Sequence, residues 1–208
     1  MEFDPRVMVL TDGLGDDLVE RVLAAIRGGA TCVQLRAKGA SARAIHSAAV
    51  ALVAATRVPI LVNDRLDIAL AAGAAGVHLG PADLPVEAAR ALSPPGFLVG
   101  GSAGSAEAAR ALEAAGASYV GVGAIFDAHG SKPDASAPRG PDVLRAVRRA
   151  VQIPIVAIGG IECHNAALCI DAGAHGVAVI RAVFEDREPA RIQARARALR
   201  DSAFGGTR

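Results

Sequence analysis

One phrase recurs four times along this chain: "RGGATCVQLR", "AAGAAGVHLG", "AAGASYVGVG" and "DAGAHGVAVI". Each reads as the end of a helix, a glycine, and then a short apolar strand. The glycines are Gly29, Gly73, Gly116 and Gly173, spaced 44, 43 and 57 residues apart. A glycine just past a helix accepts the left-handed backbone that ends many helices. A period near 43 residues is too long for one strand–helix unit and fits two. The intervening strands are "VPILVND" at 58–64, "FLVGGS" at 97–102 and "IPIVAIGG" at 153–160, and "VMVLTD" at 7–12 completes a set of eight.

The segments between these strands carry helical spacing. In "DDLVERVLAAIRGG" the apolar positions Leu18, Val22, Leu23 and Ile26 form a core-facing stripe, with Asp16 or Asp17 as the cap. "PVEAARALSP" opens with Pro85 in its first turn and stops before Pro94. Regular alternation of short apolar strands and helices means a parallel sheet covered by helices. Eight such units in 208 residues predict one α/β domain over 1–208, a closed (β/α)₈ TIM barrel. An open doubly wound sheet is the alternative, but no G-x-G-x-x-G opens the first helix.

The third repeat interval is the longest, and its excess falls in "AIFDAHGSKPDASAPRG" at 124–140. This Gly-, Pro- and Ser-rich segment follows strand six and is expected to be a lid or binding loop, with passive insertion as the competing reading. Active sites of such barrels lie at the C-terminal strand ends. Those ends read Asp12; Gln34, Arg36 and Lys38; Asn63 and Asp64; His78 and Gly80, with Asp83 beyond; Ser102; Gly123 and the loop with Lys132; Gly159 and Gly160; Ile180 and Arg181.

Gln34, Arg36 and Lys38 stand two apart, so strand alternation points them one way, into the mouth. Arg36, Lys38 and Lys132 suit a polyanion such as a diphosphate. Asp64 and Asp83 would repel that anion unless a cation lies between, and two carboxylates with phosphate oxygens are a typical Mg²⁺ environment. The competing reading pairs Asp64 with Arg65 or Arg36 as a structural ion pair. Backbone N–H groups after strands seven and eight ("AIGGI", "VAVIRAV") form the phosphate cup common to many barrels. His78 reads equally as an interior or a catalytic histidine. His129 sits in the lid, and His46, His164 and His175 read as surface or helix-packing residues.

Composition narrows the classes. A net charge of +1, no Trp and a single Tyr argue against a nucleic-acid surface, and the arginines of the last helix read as a solvated face. Three cysteines, an odd count without C-x-x-C, give no disulfide framework or zinc site and fit a reducing cytoplasm. The N-terminus does not read as a signal peptide, and no apolar run reaches the roughly 18 residues of a bilayer span. The expected partners are small phosphorylated molecules, and a homo-oligomer remains open.

The residues also carry a family resemblance. "VQLRAK", "NDRLDIALAAGAAGVHLG" followed by "ADLP", "GASYVGVGAIF", "IPIVAIGGI" and "GVAVIRAV" together resemble the thiamine phosphate synthases, over about residues 7–184. The resemblance implies a (β/α)₈ barrel that joins hydroxymethylpyrimidine diphosphate to hydroxyethylthiazole phosphate with Mg²⁺ and releases diphosphate. By position it implies that Gln34, Arg36 and Lys38 serve the pyrimidine diphosphate, that Asn63 holds the diphosphate, and that Asp64 and Asp83 bind the metal. Ser102 would contact the pyrimidine or diphosphate, and Lys132 would close over the diphosphate. Gly160, Ile180 and Arg181 would frame the phosphate cup. The implied mechanism is dissociative, and no protein nucleophile or general base is evident.

The chain departs from the family pattern at several places. The lid's usual Thr-x-Thr-Lys is "DAHGSK", where Ser131 can replace one hydroxyl and Lys132 remains. Ala37 replaces a usual acid, Pro81 a frequent Gln, and Arg181 a small residue, and "SAGS" lacks a nearby His. Thiazole tautomerases resemble the barrel frame nearly as well but do not need the acidic pair. A phospholigand-binding barrel without catalysis is a third reading.

Overall fold

The computed structural model describes residues 3–127 and 137–205. Eight strands, β1 (Val7–Leu10), β2 (Cys32–Leu35), β3 (Ile60–Asn63), β4 (Gly76–Leu79), β5 (Leu98–Ala103), β6 (Tyr119–Val122), β7 (Ile155–Ile158) and β8 (Gly176–Val179), alternate with helices. The helices are α1 (Leu18–Gly28), α2 (Ala42–Ala55), α3 (Leu66–Ala71), α4 (Val86–Leu92), α5 (Ala106–Ala114), α6 (Asp142–Ala150) and α7 (Ala166–Asp171), then α8 (Arg181–Phe184) and α9 (Pro189–Phe204) after the last strand. All neighbouring strands are parallel, and β8 pairs with β1, so the sheet closes into the expected barrel and the open-sheet alternative falls.

Alternation along each strand sorts the side chains into two compartments. Val7, Val9, Val33, Leu35, Val62, Val77, Val99, Val120, Ile155 and Val177 point outward into a large apolar layer shared with the helices. Met8, Leu10, Cys32, Leu61, Tyr119, Val156 and Ala178 form a much smaller cluster inside the barrel. Most apolar burial thus lies between strands and helices, which explains why the strands read as continuous hydrophobic runs.

The four repeat glycines sit at the predicted turns with φ of 112°, 66°, 89° and 100°. That region is disfavoured for side-chain-bearing residues, so the phrase reports a backbone requirement. Gly28 has a packing role instead. A Cβ there would overlap the Gln193 carbonyl, because α9 lies directly on α1.

Local details differ from the sequence reading. Asp17 occupies the α1 cap position but makes no capping hydrogen bond, and its carboxylate accepts from Arg187 at 2.7 Å. The buried stripe of α1 runs through Leu18, Arg21, Val22 and Ala25, with Leu23 and Ile26 only half-buried. Pro85 stands at the α4 cap, one position before the helix. Arg21 is 4% exposed, stacks on the Phe184 ring, and donates to Asp12 at 3.0 Å. Asp12 is thereby tied to a helix. The arginines of α9 face acids of the preceding loop, with Arg191 against Asp186 and Arg195 against Glu185. Such exposed pairs add little stability. Cys32 and Cys169 are buried, Cys163 is exposed, and all three are free thiols. Among the described residues no helix is long and apolar enough to cross a membrane.

Candidate active site

A cavity of about 640 Å³ opens at the C-terminal end of the barrel. Gln34, Arg36, Lys38, Asn63, Asp64, Asp83, Ser102 and Ile180 all line it. Gly160 and Arg181 do not, and Gly159 and Ile180 stand on the wall in their place. Gly160 instead packs its Cα against the Asp127 backbone, while its carbonyl accepts from Asn165 at 3.0 Å. Arg181 is exposed at the start of α8. Ser131, Lys132 and His129 lie outside the described residues.

The cation strand is held from below. Thr11, 1% exposed, donates its hydroxyl to the Arg36 carbonyl at 2.7 Å and accepts from the Arg36 N–H at 2.8 Å. These bonds fix the backbone where β2 leaves the barrel, so Arg36 and Lys38 emerge at the rim. Gln34 stays inside, 2% exposed, and donates its amide to Asn63 Oδ1 at 2.7 Å. With its oxygen engaged, Asn63 keeps its amide N–H₂ to donate, the polarity an anion in the cavity requires.

The acidic pair forms at two tight turns. Asp64 is the one non-glycine described residue with positive φ, at 66°. Its N–H donates to the His78 carbonyl at 2.8 Å, and Arg65 N–H donates to the Asn63 carbonyl at 2.8 Å. Arg65 pairs with Asp67 at 2.8 Å, which removes the Asp64–Arg65 alternative. Asp83 accepts from the Gly80 N–H at 2.7 Å, fixing one carboxylate oxygen. Burial pushes Asp64 up to about 6, Asp83's hydrogen bond and charge add to it, and Lys38 and Arg36 pull the other way. Two carboxylates close enough to share a proton offer the donor set that a hard divalent cation replaces that proton to join. Among the described residues no third His, Cys, Asp or Glu joins them. A metal here would therefore complete its shell with water and ligand oxygens, as Mg²⁺ does.

Three wall residues escaped the sequence reading or were left undecided by it. His78 points inward from β4, with Nδ1 2.9 Å from the Tyr119 hydroxyl and Nε2 2.9 Å from Ser102 Oγ. Tyr119 is the chain's single tyrosine, and its inward strand position was the available signal. Arg139 lines the cavity from the far stem of the loop and donates to the Gly123 carbonyl at 3.3 Å. Its N–H bonds the Ala124 carbonyl at 2.9 Å, while Ile125 N–H reaches the Ile158 carbonyl at 2.9 Å. Both stems of the loop are thus pinned at the cavity mouth. Nothing in the sequence spacing marks Arg139, because it reaches the cavity only through those stem bonds. His175 accepts from the Ile155 N–H at 3.0 Å and is a packing residue, and His164 is exposed.

Comparison with known proteins gives the family. The family model described as thiamine monophosphate synthase matches residues 7–183. The thiamine-phosphate synthase of Moorella thermoacetica is 48% identical over 204 residues, 96% of this chain and 95% of the relative. That of Coprothermobacter proteolyticus is 46% identical over 192 residues, 91% of this chain and 89% of the relative. The solved thiamine phosphate pyrophosphorylase of Pyrococcus furiosus superposes with a TM-score of 0.84 at 35% identity, covering 97% of this chain and 96% of that one. The chain belongs to the thiamine monophosphate synthase family.

Proposed function

We propose that this protein is a thiamine phosphate synthase, a transferase that joins hydroxymethylpyrimidine diphosphate to hydroxyethylthiazole phosphate and releases diphosphate. The observation that carries the reading is one cavity in which Asp64 and Asp83 face Arg36 and Lys38. A phosphate cup alone would serve many barrels, whereas a carboxylate pair opposite paired cations suits a metal-bound diphosphate. The near-complete coverage of the synthases named above supports the same reading.

In this reading the bond between the pyrimidine methylene and the diphosphate oxygen breaks first, and its electron pair leaves with the diphosphate. Arg36 and Lys38 stabilise the charge that grows on those oxygens, and Lys132 and Ser131 would add a further cation and a hydroxyl to them. Arg36 can fork to two oxygens, while Lys38 acts as a point charge. Asn63 and Ser102 fix the diphosphate by hydrogen bonds, and Gln34 holds Asn63 in place. The methylene cation left behind accepts the thiazole nitrogen's lone pair, forming the C–N bond with no proton to remove. The thiazole phosphate sits toward Gly159 and Ile180 on the cavity wall. Asp64 and Asp83 would hold Mg²⁺, which supplies further positive charge to the leaving diphosphate. The chain works as one barrel unit in a reducing cytoplasm, without nucleic acid or membrane.

The test is a reaction with both substrates and Mg²⁺, with thiamine phosphate read by fluorescence after oxidation and a matched EDTA control. Metal-dependent product is the expected result. A folded protein that forms none overturns the synthase reading. Turnover of a thiazole carboxylate phosphate in its place would establish the tautomerase alternative, and thermal stabilisation by ligand without turnover would establish a binding barrel.

A further inference from the structure

Inside the barrel, three side chains from three strands form a hydrogen-bonded line. In register, His78 of β4 stands opposite Gly100 of β5, and Gly100 stands opposite Tyr119 of β6. The middle position has no side chain, so the two rings meet across it. A Cβ at Gly100 would overlap the end of the Tyr119 ring. One layer higher, Ser102 stands opposite Gly121, and a Cβ at Gly121 would come within 3.0 Å of the His78 ring. Two glycines therefore make room for Tyr119–His78–Ser102.

The direction of the line follows from Tyr119. It is 0% exposed, and among the described residues His78 Nδ1, at 2.9 Å, is the hydrogen-bond partner of its hydroxyl. A buried O–H donor without an acceptor is costly, so the hydroxyl donates and Nδ1 accepts. A neutral imidazole whose Nδ1 accepts carries its proton on Nε2. That N–H then donates to Ser102 Oγ at 2.9 Å, which occupies a serine lone pair. Ser102 is exposed to the cavity, so its own hydroxyl hydrogen is left for whatever lies there.

We propose that Tyr119 is a positioning residue: through His78 it makes Ser102 a hydrogen-bond donor aimed into the cavity, toward an anionic oxygen such as that of the departing diphosphate. The inference rests on the synthase reading for the identity of the anion, but the polarity of the line does not. In Tyr119→Phe the ring packing against Phe3, 5.1 Å between centroids, is retained and only the donor is lost. Nδ1 is then free to take the proton, Nε2 becomes an acceptor, and it draws the Ser102 hydroxyl away from the cavity.

The experiment is a ¹⁵N spectrum of imidazole-labelled protein, with the His78 signals identified by their loss in His78→Asn, read beside steady-state kinetics. The wild-type protein should show a protonated Nε2 and a bare Nδ1, and Tyr119→Phe should gain the opposite tautomer. The kcat of Tyr119→Phe should fall about tenfold, the scale of one hydrogen bond to a charged group, with KM for the thiazole phosphate unchanged. In a Ser102→Ala background the same substitution should cost nothing further. A wild-type His78 protonated on Nδ1 overturns the proposal without any variant, and so does a Tyr119→Phe protein with wild-type kcat. If the wild type turns over neither substrate, the synthase reading fails by itself. Inorganic diphosphate titrated with Mg²⁺ then decides the inference: weaker binding to Tyr119→Phe supports it, and equal binding overturns it.

Discussion

The lower and upper halves of the barrel interior are built on the same strands to opposite ends. Below, Met8, Cys32, Leu61, Val156 and Tyr119 pack into a sealed apolar plug, with Phe3 stacked beneath. Above, the next inward positions are Gln34, Asn63, His78 and Ser102, and the cavity begins. One step of two residues along a strand separates a side chain chosen for volume from one chosen for hydrogen bonding. Tyr119 spans the boundary, with its ring in the plug and its hydroxyl on His78. The plug gives the polar layer an apolar floor, where hydrogen bonds are stronger and an unpaired group costs more. The polar layer in turn is strained and charged, and Asp64 carries both burdens, with φ of 66° and a carboxyl pressed against Asp83. Local strain of this kind persists where the surrounding structure enforces it.

If the halves are so divided, substitutions above should cost turnover and those below should cost stability. The largest effect is expected from Asp64→Asn or Asp83→Asn, which should lower kcat on the order of 10³-fold, several kcal/mol, and flatten its dependence on added Mg²⁺. Kinetics across a Mg²⁺ titration would check this, and wild-type behaviour in both variants would remove the metal from the upper half. Leu61→Ala empties part of the plug and should cost about 2–5 kcal/mol of stability in denaturant unfolding, while the folded fraction keeps its kcat. A loss of kcat with full stability would mean that the floor itself acts in catalysis. Arg36→Ala should lower kcat/KM roughly 10- to 100-fold, the range of a charge-assisted hydrogen bond, with an unchanged melting temperature. A melting temperature that falls while kcat/KM holds would return Arg36 to a structural ion pair.

The smallest effect separates the halves by pH. Without divalent cation, folded Asp64 keeps its proton to about pH 6, whereas the unfolded residue loses it near 3.8. Between those values the folded state binds more protons, so stability falls as pH rises through the window. Asp64→Asn should remove that slope and raise the melting temperature in EDTA at pH 7 by roughly 2–4 °C, the scale of ~1 kcal/mol in a domain of this size. A thermal melt series from pH 4 to 7 with wild type and variant is the measurement. An identical slope in the two would place the titration elsewhere.

The repeat, the period and the apolar strands determined a parallel sheet of eight βα units from the sequence alone, because these need only local turns and a two-sided hydrophobic pattern, while the pairing of β8 with β1 closed it. The exit of Arg36 and Lys38 at the rim was equally legible, since alternation fixes direction once a strand end is known. Asp64 and Asp83 could be named as acids on one rim, but their contact depends on two turns closing toward each other. Three further features belong to the tertiary structure. Arg139 reaches the cavity through stem hydrogen bonds between residues 15 or more apart in sequence. Asp17 is claimed by Arg187, 170 positions away, and so does not cap its own helix. The line from Tyr119 to Ser102 exists because Gly100 stands between two rings in register. Register and long-range pairing are set by how strands stack around the closed sheet, and a linear pattern of polar and apolar residues does not carry that information.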